Sequence, residues 1–295
     1  MAHALIPPEL LSRLKSLRLA TTRSRGDGGI GQHASPARGA GLEFVQYRGY
    51  EQGDSLRQID WKLYARSDRF FVREAERESP LTVWLLLDAS ASMAQCDRAR
   101  PGWSRLDGAR LIAACIAEIA LRQGDRVGLA GLREDELRGL PPRTGSRAHN
   151  GLWLELQALT AEGRFPGSAR LMPLWERTRA GDLLFLIGDF FDEDAVTLVE
   201  RLAATGREVR AIQLLTAEER DFPFAGNFLF HDAETGVELQ GDATSMRAGY
   251  LERFSAAQRA LDARLDAAGI AHARGALDEP PDRLLRAVLA PGSRA

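Results

Sequence analysis

Two apolar runs in this chain end on an aspartate. "LLLDASASM" (residues 85–93) carries three leucines into Asp88 and then sets hydroxyls at Ser90 and Ser92. "FLIGD" brings a second run to Asp189. Between them, the loop "PPRTGS" offers Thr144, with Ser146 as the alternative hydroxyl. The set is oxygen alone, two carboxylates and several hydroxyls, with neither His nor Cys among them. Such donors select hard cations, Mg2+ first and then Mn2+ or Ca2+. Mg2+ keeps several of its waters, so few protein ligands suffice and one position stays open to an incoming carboxylate.

The elements that must position these residues are legible from residue 81 onward. "LTVWLLLD" is a continuous apolar run, as in a strand covered on both faces. A helix is expected over about 105–122, then the strand "DRVGLAGL", then a short strand near 136–140 ending at Pro141–Pro142. A helix over about 148–160 leads to the buried strand "DLLFLIGD". The helix "AVTLVERLAATG" ends at Gly206 as its C-cap, and the strand "EVRAIQLLT" follows. Helices over 246–268 and "PPDRLLRAVLA" close the chain. Alternating strands and helices predict a mostly parallel sheet with helices on both faces. Ligands of such sheets bind beyond the carboxyl ends of the strands, where the two aspartates are expected.

Upstream, residues 7–20 read as a short amphipathic helix and residues 21–41 as a loop rich in Gly, Ser and Arg. "LEFVQYR" and "DRFFVREAERE" read as strands. The expected division is an N-terminal helix, loop and β-containing block over 1–79, and an α/β domain over 80–295.

At 295 residues the chain can bury a full core without staples. A net charge of −2 gives no global field for nucleic acid. Cys96 and Cys115 are the only cysteines, too few for a disulfide framework or a zinc signature. No stretch approaches a membrane span, so direct insertion is not expected and the cytoplasm is the default compartment.

The block "EFVQYRGYEQGDSLRQIDWKLYARSDRFFVREAERE" running into "LLLDASASM" resembles the bacterial domain-of-unknown-function family 58. The segments that carry the resemblance are R-x-Y-x-x-G-D at Arg48 to Asp54, R-x-I-D-W at Arg57 to Trp61, and Ala65–Arg66. Asp88, Ser90 and Ser92 also match the D-x-S-x-S motif of the metal-ion-dependent adhesion site of von Willebrand factor A domains. Asp189 matches that site's later aspartate. The resemblance implies an α/β von Willebrand A-like fold with a Rossmann-like sheet. It implies Mg2+ held by Asp88, Ser90, Ser92 and Thr144, with Asp189 holding a metal-bound water. It further implies a protein partner that offers a Glu or Asp to the metal, and action beside a MoxR-type AAA+ ATPase in assembling, activating or chaperoning complexes. Binding, not catalysis, is the expectation.

Other readings compete with this one. A literal G-x-G-x-x-G at Gly26, Gly28 and Gly31 has no strand before it and no helix after it, so it is not a dinucleotide fingerprint. An Mg-dependent phosphohydrolase of haloacid-dehalogenase-like type also puts a nucleophilic Asp at a strand end. That chemistry needs a second carboxylate two residues later, where this chain has Ser90. "DASAS" is not a G-x-S-x-G elbow, and none of the five histidines has triad context. Asp and Ser also cap helices, which is the ordinary role for a single such residue. In the upstream block, Tyr47, Tyr50 and Trp61 are expected either as core or as part of a docking surface that includes Arg57 and Arg66.

Overall fold

The computed structural model describes residues 5–21, 44–51, 59–75, 80–134, 137–231 and 236–289. Two compact units divide the chain: residues 1–28 with 81–295, and residues 29–80.

The larger unit is built on a six-stranded sheet. Its strands are β3 (Thr82–Asp88), β4 (Arg126–Leu132), β5 (Leu137–Arg143), β6 (Leu183–Gly188), β7 (Glu208–Leu215) and β10 (Ala271–Ala276). They lie in the order β10-β7-β6-β3-β4-β5, all parallel except β5, which pairs antiparallel with β4. This is the expected α/β von Willebrand A-like fold. The chain winds outward from β3 through β4 to β5, then returns to β6 and winds the other way. The switch point therefore falls between β3 and β6, the strands that lead into Asp88 and Asp189.

Strand side chains alternate between two cores. Val83, Leu85, Leu87, Phe185 and Ile187 face one layer of helices, while Trp84, Leu86, Leu184 and Leu186 face the other. The first layer holds α1 (Pro8–Leu14), α3 (Arg105–Gln123), α4 (Gly145–Ala158) and α9 (Pro281–Leu289). The second holds α5 (Met172–Arg177), α6 (Glu193–Ala204) and α8 (Ala243–Ala267).

Two expectations change. The edge strand does not stop at Pro141–Pro142 but runs through them to Arg143. Prolines are tolerated on an edge, where a missing N–H breaks no ladder bond. Pro142 also packs over Gly128, where an added Cβ would lie 2.9 Å from its Cγ. The N-terminal helix, assigned by sequence to the smaller block, belongs to the larger unit. Leu10, Leu14 and Leu19 are buried in the first core. Gln123 exchanges hydrogen bonds with both backbone groups of Leu19, at 2.7 and 3.0 Å. Arg122 donates to the carbonyls of Leu14 and Leu17, each at 3.0 Å.

In the smaller unit, β1 (Phe44–Gly49) pairs antiparallel with β2 (Phe71–Ala75). Helix α2 (Trp61–Ser67) is capped by Asp60, whose Oδ1 accepts from the N–H groups of Lys62 and Leu63. Trp61 is 57% exposed, and with Tyr64 and Phe70 it forms an aromatic cluster, so of the two expected places it does not take the core one. Arg57 lies outside the described residues.

The docking of α1 is testable. Leu14 is 0% exposed, so Leu14→Ala should cost about 2–5 kcal/mol. Denaturant titration should show a lower midpoint for the whole unit. An unchanged midpoint would make α1 an appendage.

Candidate functional site

Asp88 ends β3 at the switch point, and its carboxylate is buried. Its Oδ1 accepts the Ser90 N–H at 2.9 Å, which curls the chain into a tight turn. The turn leads into a single 3-10 turn at Ala91–Ala94 and stacks three oxygens. Ser90 Oγ and Ser92 Oγ lie 3.1 Å apart, and Ser92 Oγ donates to Asp189 Oδ2 at 2.6 Å. Gly188 makes this approach possible: a Cβ there would sit 2.8 Å from the Cβ of Asp88. The structure thus brings Asp88, Ser90, Ser92 and Asp189 together.

Thr144 and Ser146 are not with them. Because β5 runs antiparallel, Arg143 pairs with Val127, and Val127 pairs with Val83 at the far end of β3. Thr144 therefore leaves the opposite end of the sheet, more than about 16 Å from Asp88, since Val83 and Asp88 alone are five strand residues apart at about 3.3 Å each. A threonine on the Asp88 side is Thr160, in the loop that follows α4. That loop is stitched to the turn by Glu162 N–H to Ala89 O and Ala91 N–H to Gly163 O, both 2.9 Å. Thr160 Oγ1 accepts from Arg133 Nη1 at 3.1 Å.

Sequence patterning also missed Arg105. It opens α3, where a charged residue ordinarily faces water, yet it is 1% exposed. One Nη donates to Asp189 Oδ2 and to Ser92 O, and the other donates to Glu219. Glu219 sits in the short helix α7 (Ala217–Asp221), where its second oxygen accepts the Thr216 N–H at 2.9 Å in a capping box. Tyr250 donates to the Glu219 carbonyl at 2.9 Å. Burial, and then the Glu219 charge, push the Tyr250 hydroxyl up to about 12, so it remains a donor.

Asp189 is held from every side. Its Oδ1 accepts the Phe191 N–H at 3.1 Å, and its carbonyl accepts Gln213 Nε2 at 2.8 Å. Next in the chain, Phe190 is buried with φ 57°, a left-handed conformation that costs a non-glycine residue about 1–3 kcal/mol. That backbone turns Phe191 outward, where it is 51% exposed.

The donor set fits a hard cation. Asp88, Ser90 and Ser92 present oxygens from one turn, and Gly188 leaves the space that seats the Asp88 carboxylate. Both oxygens of Asp189 are engaged by Phe191, Ser92 and Arg105, so this carboxylate is less available as a direct ligand. Among the described residues no three His, Cys, Asp or Glu side chains cluster as a metal site. A cation here would therefore rest on hydroxyls as well as carboxylates.

The model of the protein family of unknown function DUF58 matches residues 46–261. The chain belongs to the DUF58 family. An uncharacterized protein of Mycobacterium tuberculosis and one of Mycobacterium bovis are each 28% identical to it over 264 residues, covering 87% of this chain and 81% of theirs. Among solved structures, the conserved hypothetical protein BatB from Bacteroides thetaiotaomicron is similar at TM-score 0.38 and 14% identity, over 64% of this chain and 98% of that one. The SpRpn10 VWA domain is similar at TM-score 0.40 and 11% identity, over 72% of this chain and 98% of that one. The strand order, not these likenesses, defines the fold of this DUF58 chain. No helix among its described residues is long and apolar enough to cross a membrane.

Removing Arg105 should expose its importance to this face. Arg105→Met leaves Asp189 and Glu219 without their shared partner and should cost about 3–5 kcal/mol. Adding Asp189→Asn should recover part of that loss in denaturant titrations. Additive losses in the double variant would contradict a direct charge pairing.

Proposed function

We propose that this DUF58 chain is a cation-dependent protein-interaction module, not an enzyme. The observation that carries the reading is the meeting of Asp88, Ser90, Ser92 and Asp189 at the switch point of the sheet. Asp88, Ser90 and Ser92 would hold Mg2+, or Mn2+ or Ca2+ in its place, with Asp189 acting through water. Bound there, the ion supplies a fixed positive charge with a position open to a carboxylate. The chain's own residues do the rest. Gly188 admits the Asp88 carboxylate, the Ser90 N–H orients it, and Arg105 fixes the rotamer of Asp189 so that Ser92 stays aligned. Thr160, not Thr144, is the hydroxyl best placed to complete the set.

The partner in this reading is a protein that offers Glu or Asp, a MoxR-type AAA+ ATPase of the same cell, in the cytoplasm. Such a pair would use the module to bring a cargo complex to the ATPase for assembly or activation.

Melting experiments and pull-downs test the reading together. A ligand that binds only the folded state adds about 1.4 kcal/mol at about tenfold excess over Kd, a rise of roughly 2–4 °C in Tm. Millimolar Mg2+ or Mn2+ should produce that rise in the wild type and none in Asp88→Ala, which should remain folded and lose the ATPase. An Asp88→Ala protein that captures the ATPase at wild-type strength, insensitive to EDTA, would remove the cation from the mechanism.

A further inference from the structure

The carboxyl edge of the sheet presents three different chemistries in a fixed order. Strands β6, β3 and β4 are neighbours, spaced about 4.8 Å apart. Just past the end of β6 stands the exposed ring of Phe191. At the end of β3 lies the Asp88–Ser92 oxygen set. Just past the end of β4 is Arg133, and Arg138 pairs with Gly131 at the same end of that strand.

The two arginines open on a cleft of about 140 Å³ lined also by Ala89, Leu159 and Thr160. Ala89 directly follows Asp88 in the chain, so the cleft lies beside the Asp88 turn. Within the chain, Arg133 pairs with Glu162 at 3.4 Å, and that glutamate side chain is 67% exposed. Arg138 pairs with Glu155. Each pair has one half-buried member, Arg133 or Glu155, and one end at the surface, Glu162 or Arg138; pairs open to water on one side are weak and can exchange with an incoming acid. On the other flank, Phe191 is turned out by the left-handed backbone of its buried neighbour. An aromatic ring exposed beside a polar cleft is an anchor for an apolar side chain.

We propose that this edge reads an extended segment of the partner with the pattern apolar–x–acid–x–acid. The apolar side chain would pack on Phe191, the central Asp or Glu would reach the oxygen set, and the second acid would meet Arg133 and Arg138. Alternate residues of an extended segment face one side about 6.6–6.8 Å apart, about 2 Å more than the spacing of neighbouring strand ends, so the segment would cross those ends at an angle. The role of the central acid rests on the proposed cation site; the two flanking contacts stand on Phe191 and the arginine cleft by themselves.

A display library of short random peptides, selected on the full chain with Mg2+, tests this directly. The expected result is enrichment of an acid flanked by an apolar residue on one side and a second acid on the other. Individual enriched peptides should bind Phe191→Ser and Arg133→Gln at least about fivefold more weakly than wild type, a loss of about 1 kcal/mol in each case. Arg133→Lys should bind better than Arg133→Gln, and melting curves should confirm that all variants are folded. Binding should vanish with EDTA or in Asp88→Ala. Peptides that need Mg2+ and Asp88 but ignore Phe191 and Arg133 would overturn the flanking contacts and leave the cation site standing. Peptides that need Phe191 and Arg133 but ignore EDTA would support the flanking surface and overturn the cation. No enrichment would overturn both.

Discussion

A single buried guanidinium organises the carboxyl face of this molecule. Arg105 reaches Asp189, 84 residues away, and Glu219, 114 residues away, and it also bonds the carbonyl of Ser92. Three loops that leave three different strands are thereby joined at one planar group. Buried ion pairs are poor net stabilisers, because desolvation offsets much of the attraction, but a broken one is costly. The constraint is therefore geometric. Asp189 cannot rotate while Arg105, Ser92 and the Phe191 N–H hold its oxygens, and Ser92 cannot turn away while Asp189 accepts its hydroxyl.

Further hydrogen bonds brace this arrangement from beneath. Gln213 donates to the Asp189 carbonyl and accepts from Arg274 at 2.6 Å, and Arg274 in turn donates to Asp262 of α8 at 2.6 Å. The loop before α3 is tied down by buried Asp97, whose oxygens accept the N–H groups of Ala99 and Ala217 at 2.8 and 2.9 Å. Arg98 N–H donates to Glu218 at 2.7 Å, which joins the same loop to α7 again. The strain at Phe190 persists because its neighbours on both sides are fixed in this way. A rigid face of this kind suits recognition, since little ordering remains to be done when a partner arrives.

Much of the frame was legible from patterning. Strands β3 and β6 are almost wholly buried, and such strands read as continuous apolar runs. The D-x-S-x-S spacing and the second strand-end aspartate pointed to four residues that do meet in the fold, Asp88, Ser90, Ser92 and Asp189, because strand ends at a switch point are set by topology. Thr144 was misplaced for a topological reason. Its position depends on the direction of a short edge strand, which the four-residue connection after β4 sets as antiparallel, so Thr144 falls at the opposite end of the sheet. Strand β10, "AHARGA", lacks the apolar run of its neighbours; it lies at the sheet's edge and was not foreseen. Arg105 reads as an ordinary surface charge near a helix start. Its burial is decided by Asp189 and Glu219, which no local window contains.

The central claim is that the Asp88 turn and Asp189 together form a cation-holding face, and anomalous diffraction from crystals grown with Mn2+ tests it most directly. The account predicts one strong peak among the carboxylate of Asp88 and the hydroxyls of Ser90 and Ser92, absent from crystals of Asp88→Ala. A well-ordered Asp88 turn with no peak beside it, or a peak that survives in Asp88→Ala, would contradict it.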